Sequence, residues 1–176
     1  MQIRFEYDQQ RATQAVLWLL HKHGGQLDIL KLLKLMFFVD RLHLARYGRP
    51  TVGGRYFAMQ YGPVASELYD AIKAAGAETG EPYVTKGNQV IAVLPLDENF
   101  LSESDIGALE EVDREFGHLD PFRLSDITHN LKVWSKNNPG GKTSAPIPYE
   151  DFFLDMPDDS MLDIIREDQE AREILE

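Results

Sequence analysis

The chain has 176 residues, 43% of them hydrophobic, no cysteine, and 18 Lys/Arg against 29 Asp/Glu for a formal net charge of −11. That length suits one domain able to bury a core without cross-links, and the lack of cysteine excludes a disulfide framework, a thiolate nucleophile and Cys-ligated zinc. Residues 1–50 hold eight Lys/Arg against four Asp/Glu and residues 101–176 hold seven against nineteen, a balance that argues against nucleic-acid binding by this chain alone, which needs clustered cations, and suits a basic or amphipathic partner.

The N-terminal residues MQIRFEYDQQ lack the apolar stretch of a signal peptide. The most apolar run, residues 27–39, is interrupted by Asp28, Lys31 and Lys34 and falls short of the roughly 20 residues that span a membrane. A soluble, cytoplasmic protein is therefore expected, with no membrane contact. No internal repeat or low-complexity tract is present.

Ala12, Ala15, Val16, Leu19 and Leu20 recur at helical spacing and Gly24-Gly25 provides a stop, which predicts a first helix over residues 8–23. Asp28 is a candidate N-cap for a second helix over 28–47, apolar almost all round and so expected to be the buried spine of the fold. Gly48-Arg49-Pro50 ends it. Residues 51–61 read as loop or short extended chain, and Gly62-Pro63 reads as a helix restart with Pro at the first helical position and Leu68, Ile72 and Ala75 on the buried face. Tyr83-Val84-Thr85 and residues 89–94 flank Lys86-Gly87-Asn88, the pattern of a small β-hairpin and the only sheet the sequence suggests.

Ser102 with Asp105 opens a helix whose stripe is Ile106, Leu109, Val112 and Phe116, and Asp120-Pro121 opens another that breaks near Asn130. Residues 137–148 carry the Gly and Pro of a surface connection, and a short helix follows at 149–154. After Met156-Pro157, Asp158 or Asp159 caps a last helix packed through Met161, Leu162 and Ile165, whose charged remainder projects. The expected fold is a mainly α, single domain over 1–176, built around the central apolar helix 28–47 with one β-hairpin at about 83–94 and an acidic C-terminal helix at about 157–176.

No catalytic constellation stands out. HExxH, a Walker loop, GxGxxG and GxSxG are all absent, and Gly140-Gly141-Lys142-Thr143 lacks the upstream glycine of a phosphate loop. His21 and His23, two apart on a helix, diverge rather than converge on a metal, and neither a metal nor a cofactor is expected. His43 reads as a hydrogen-bonded structural histidine. His129 reads as a lock on a helix turn beside Trp134, with a small enzyme using His129, Asp126 and Thr128 as the competing idea. Lys31, Lys34 and Arg41 share one stripe of the spine helix, read either as its solvent edge or as a basic strip bordering a groove. Arg49, Arg55, Tyr56, Phe57, Met59 and Tyr61 follow, arginine and aromatic side chains of the kind enriched at binding hot spots, about half of which belong to the core. The candidate partner-contact residues are Lys31, Lys34, Arg41, Arg49, Arg55, Tyr56 and Tyr61.

Two separated motifs carry a family resemblance. The first runs from KLLKL, containing Leu35, through Asp40, Leu44, Gly48 and Pro50 to YGPV, containing Gly62 and Pro63, and LYDAI; the second is LSDITHNLKVW, residues 124–134, containing Thr128, His129 and Trp134. In both, the chain resembles the Panacea domain, the family of SocA-like antitoxins and phage-associated proteins. The resemblance implies a mainly helical antitoxin of a toxin–antitoxin module, without enzymatic activity, that neutralises a toxin encoded next door by direct contact; a proteolytic adaptor that delivers the toxin to a protease is the alternative. The motif residues are expected to be structural. Phe37-Phe38-Val39 stands where family members often have a tyrosine and small residues, so the choice of toxin does not transfer. Oligomeric state is not addressed by the sequence.

Overall fold

The computed structural model of the protein describes residues 2–76, 80–138, 140 and 144–176. Helix α1 (Gln9–Lys22) begins at Asp8, whose carboxylate accepts the Arg11 N–H. Strand β1 (Gln26–Asp28) leads into α2 (Ile29–Tyr47). The N-cap of α2 is Asp28: one oxygen accepts from the Leu30 and Lys31 N–H groups at 2.8 and 3.2 Å, the other from Asn88 Nδ2 at 3.0 Å. Gly48, at φ +75°, ends the helix in the left-handed conformation that a side chain would resist.

Between Leu32 and Asp40 no face of α2 is free, and only its last turn, Arg46 and Tyr47, is exposed. Leu32, Leu33, Leu35, Met36, Phe37, Phe38, Val39 and Leu44 are buried in it, together with Lys34, Asp40 and His43. Such a helix must be surrounded, and α1, α4 (Glu103–Phe116), α5 (Pro121–His129), α7 (Ser160–Leu175) and strand β3 (Gly62–Ala65) all pack against it. The Ser102 and Asp105 capping box opens α4, and Asp120 with Pro121 at the first position opens α5. At α7 it is the Asp158 carboxylate that accepts the Ser160 N–H. No helix is long and apolar enough to cross a membrane among the described residues.

The expected single hairpin is corrected to two three-stranded antiparallel sheets. Strands β4 (Tyr83–Lys86) and β5 (Gln89–Ala92) form the predicted hairpin, and β1 adds to it in the order β1-β5-β4, with Leu27 opposite Val90. The second sheet has the order β3-β2-β6, where β2 is Tyr56–Met59 and β6 is Ala145–Ile147. Residues 137–148 are thus more than a surface connection, since Ile147 pairs with Tyr56 and is buried; Pro139 and residues 141–143 of that stretch, including most of the glycine-rich GGKT run, lie outside the described residues. Gly62-Pro63 does not start a helix. It starts edge strand β3, where the missing Pro63 N–H costs no ladder bond; α3 (Ser66–Ala74) begins three residues later, and the Ser66 N–H returns to Arg55 O at 2.8 Å.

Asp28 joins the start of the spine to the β4–β5 turn. Asp28→Ala is expected to lower unfolding free energy by ~1–2 kcal/mol in urea titrations, and Asp28→Asn, which can still cap, by less.

Candidate functional site

Strands β2 and β3 are joined by Gln60 and Tyr61 alone, and the sharp return is made at Gly62, with φ +116°. A Cβ there would overlap Thr128 Oγ1 and come within 3.2 Å of Lys34 Nζ. The hairpin is held from outside through its carbonyls. Asn138 Nδ2 donates to Ala58 O at 2.9 Å, Trp134 Nε1 to Met59 O at 2.7 Å, His129 Nε2 to Gln60 O at 3.0 Å, Ser125 Oγ to Tyr61 O at 2.8 Å, and Lys34 Nζ to Pro63 O at 2.5 Å. Because a carbonyl can only accept, the His129 proton sits on Nε2 in this bond. The His129 ring lies against Trp134 with centroids 4.1 Å apart, and Thr128 Oγ1 donates to Ser125 O. Helix α5 and the short α6 (Lys132–Ser135), separated by the predicted break at Asn130, supply three of the five donors. The expectation that His129 locks its own helix turn is therefore refined: it locks the β2–β3 turn.

Lys34 is fully buried, and burial lowers its pKa from 10.5 to about 7. Asp40, also fully buried, is raised to about 6 by desolvation, against the opposing effect of the Val52 N–H at 2.8 Å, the Tyr56 hydroxyl at 2.7 Å and the Gly53 N–H. His43 is buried with its pKa lowered, chiefly by desolvation, so Nδ1–H donates to Arg49 O at 2.7 Å and Nε2 accepts from Ser104 Oγ at 2.9 Å. This serine–imidazole contact has a base and an orienting carbonyl, but the ring is wholly enclosed and no cleft opens onto it; it joins α2 to the first turn of α4.

The stripe of Lys31, Lys34 and Arg41 is broken by Lys34, which is fully buried, while Lys31 and Arg41 are half-buried and Arg41 borders an open cavity with Phe38 and Met161. Lys31 Nζ donates to Gly117 O at the end of α4, at 2.6 Å, a position where a cation complements the helix dipole. Lys34 lies under the hairpin, and Arg41 reaches Asp155 O at 3.4 Å while its Nε has no partner among the described residues. Tyr56, expected among the contact residues, is 1% exposed and committed to Asp40. Arg49 is paired with Asp105 at 3.1 and 3.2 Å, and Arg55, though largely exposed, with Glu67 at 2.8 Å. Of the seven candidates only Tyr61 presents an exposed apolar surface, at 48%, edge-on to Phe122 at 66%.

The motif residues are internal. Leu35, Asp40, Pro50, Gly62, Pro63 and Thr128 are buried, Gly48 ends α2, and His129 and Trp134 face the hairpin. Phe37 packs on Tyr56 and Phe152 in the core, whereas Phe38 stacks on Phe116 at 4.1 Å and the two rings line an open cavity of about 540 Å³. His21 and His23 diverge, to Leu94 O and to Asp113, and no group able to hold a metal exists among the described residues. Sequence reasoning missed Phe122, Ser125 and Asn138. Ser125 lay inside the second motif and could have been read as a donor; an exposed Phe after Pro121 gives no such signal.

Beside the hairpin tip lies an open apolar groove of about 500 Å³, floored by Ile29, Leu30, Leu33 and Val64, with Tyr61 and Phe122 along its edge. It offers apolar contact and few polar groups. The two sequence motifs thus meet in space: the second clamps the hairpin that belongs to the first, and together they present Tyr61 at the groove. Residues 32–135 match the family described as antitoxin SocA-like, Panacea domain, a stretch that runs from α2 through α6 and holds both motifs but for Lys31, with four of the five clamp donors. The match spans more than half of the chain, which belongs to this family. Neither a curated protein nor a solved structure matches it.

Two outcomes test the clamp. Trp134→Phe keeps the ring but strips Met59 O of its donor, an expected loss of ~1–3 kcal/mol in urea unfolding, and Gly62→Ala is expected to cost about 1–3 kcal/mol from backbone strain alone. The buried ammonium has its own signature. With the folded pKa of Lys34 depressed, the unfolded chain binds more protons between about 7 and 10.5, so stability relative to Lys34→Met should rise as pH increases through that window and stay level below it; parallel unfolding curves of the two proteins from pH 6 to 10 read this directly.

Proposed function

We propose that this chain is the antitoxin of a bacterial or phage toxin–antitoxin module and neutralises its toxin by direct protein contact, without catalysis. Membership of the antitoxin SocA-like family carries the reading. The geometry supports binding over chemistry. Lys34, His43 and His129, the side chains best suited to acid–base work, are engaged with backbone carbonyls, two of them wholly buried. A hairpin fixed by five donors is instead suited to recognition, because a surface ordered before binding loses less conformational entropy on binding. Tyr61 and Phe122 with the groove beside them form the proposed contact face, in place of the cation stripe. Arg49 and Arg55 already have intramolecular carboxylate partners and contribute at its margin.

Co-expression of the chain with the product of the adjacent reading frame tests this. The expected result is rescue of growth, co-purification, and loss of both in Tyr61→Ala/Phe122→Ala at unchanged melting temperature, by about tenfold or more in affinity for an aromatic hot-spot pair. Neither rescue nor co-purification with the wild-type chain would defeat the proposal. A toxin half-life that falls in a protease-dependent way when the chain is present would replace occlusion by the adaptor mechanism.

A further inference from the structure

Among the helices packed on α2, α7 is held most lightly. Helices α1, α4 and α5 bury seven, four and three residues, whereas α7, at 16 residues, buries Ile165 alone, with Met161 and Leu162 partly covered beside it. Its ion pairs, Arg166 with Asp163 and Arg172 with Asp168, lie inside the helix, and none crosses to the body among the described residues. Beyond Ile165 a single side chain fastens it: Gln169 accepts the Arg4 N–H at 3.1 Å and donates to Arg4 O at 2.8 Å. Open cavities of about 540 and 630 Å³ adjoin its first turn and its distal half, so close packing is missing at both ends.

The surface under α7 is shaped for a helix. Gly48 ends α2 without a side chain, and a Cβ there would come within 3.2 Å of Met161 Sδ and 3.6 Å of Ile165 Cγ1, so its bare backbone is the seat of α7. Beside it, Phe38, Leu42 and Ala45 of α2 and Val112 and Phe116 of α4 form the apolar wall of the 540 Å³ cavity, with Met161 on the α7 side. Without α7 this wall is an open groove between two helices. Its rim carries Arg41 and Arg46 beside Glu115 and Asp158, a balance that leaves apolar spacing rather than charge to decide what fits. The occupant that the fold itself supplies is an amphipathic helix with apolar residues at i, i+1 and i+4, Met161, Leu162 and Ile165.

We propose that α7 is a displaceable arm: it undocks from an intact body, and the α2–α4 groove it leaves takes an amphipathic helix of a partner with the same apolar spacing. An element with little buried apolar area and few tertiary hydrogen bonds opens locally, at far lower cost than global unfolding, and a helix laid in an apolar groove is a recurrent mode of recognition. The arm is then an autoinhibitory cover, which lowers the partner's apparent affinity by the fraction of chains that are open. The inference does not depend on the antitoxin reading, and its cavity shares no lining residue with the groove beside Tyr61.

Two measurements on the full chain test it. Native-state amide exchange reads the undocking, because a helix of this length is marginal once released. Wild-type α7 amides are expected to exchange roughly a hundredfold or more faster than those in the middle of α2. Gln169→Ala, which removes both hydrogen bonds to Arg4, should speed α7 by about tenfold again and leave α2 unchanged. Fluorescence anisotropy of a labelled peptide of residues 157–176 reads the groove. Ile165→Asp, which spoils the one buried contact of the arm, is expected to bind this peptide about tenfold or more tightly than the wild-type chain does, and a peptide carrying the same Ile165→Asp change should bind neither. Where Ile165→Asp does not fold, Gln169→Ala takes its place, with binding tighter than wild type still expected. Wild-type α7 amides that exchange as slowly as those of α2 would overturn the proposal, and so would failure of the unaltered peptide to bind a variant whose α7 has lost protection.

Discussion

Lys34, Asp40 and His43 carry three polar groups into the buried stretch of α2, and each finds its partner off that helix. A buried polar group left unpaired costs several kcal/mol, more when it is charged. The fold answers at three places: Lys34 holds the β2–β3 hairpin by Pro63 O, Asp40 holds residues 52–53 and the Tyr56 hydroxyl, and His43 joins Arg49 O to the first turn of α4. Apolar burial makes α2 central, but these three groups decide which connections lie against it and in what conformation. The segment between α2 and β2 would otherwise be a free loop over a greasy helix.

From this constraint follows the arrangement at the hairpin. With Pro63 fixed from below, Ser125, His129 and Trp134 fix the turn from the side, and Gly62 is the residue small enough to let Thr128 and Lys34 approach. The polar chemistry of the family motifs is thereby turned inward, toward backbone carbonyls. What faces outward is apolar and aromatic, Tyr61 and Phe122 beside a shallow groove. A surface that is ordered before a partner arrives loses less conformational entropy on binding, and a clamped turn provides one. The acidic α7 packs on the body but lies outside the residues 32–135 that match the family.

Much of the helical framework was legible because its signals are local. Asp28 and Gly48 bracket α2, Ser102 and Asp105 make a capping box at α4, and Asp120-Pro121 opens α5. Strands β1 and β6, at three residues each, are too short to show an alternating pattern, and β6 lies in a Pro-rich stretch that reads as loop. Gly62-Pro63 is ambiguous by chemistry: a residue without an N–H suits both the first turn of a helix and an edge strand, and only the pairing with β2 and the ammonium of Lys34 decide it. Lys34 and Tyr56 look like contact residues in sequence because their polar ends normally seek water; Pro63 O and Asp40, 29 and 16 residues away, keep them inside. The convergence of two motifs on one turn was likewise invisible from spacing, being a property of how α5 crosses α2.

The central claim is that the hairpin is as firmly held as the spine beneath it. Native-state amide hydrogen exchange resolved across β2, β3 and α2 tests it most directly, since protection reports the free energy of each local opening. The account predicts that the hydrogen-bonded amides of β2 and β3 exchange as slowly as those in the middle of α2, by global unfolding. Exchange of the hairpin through a separate, much cheaper opening while α2 stays protected would contradict it.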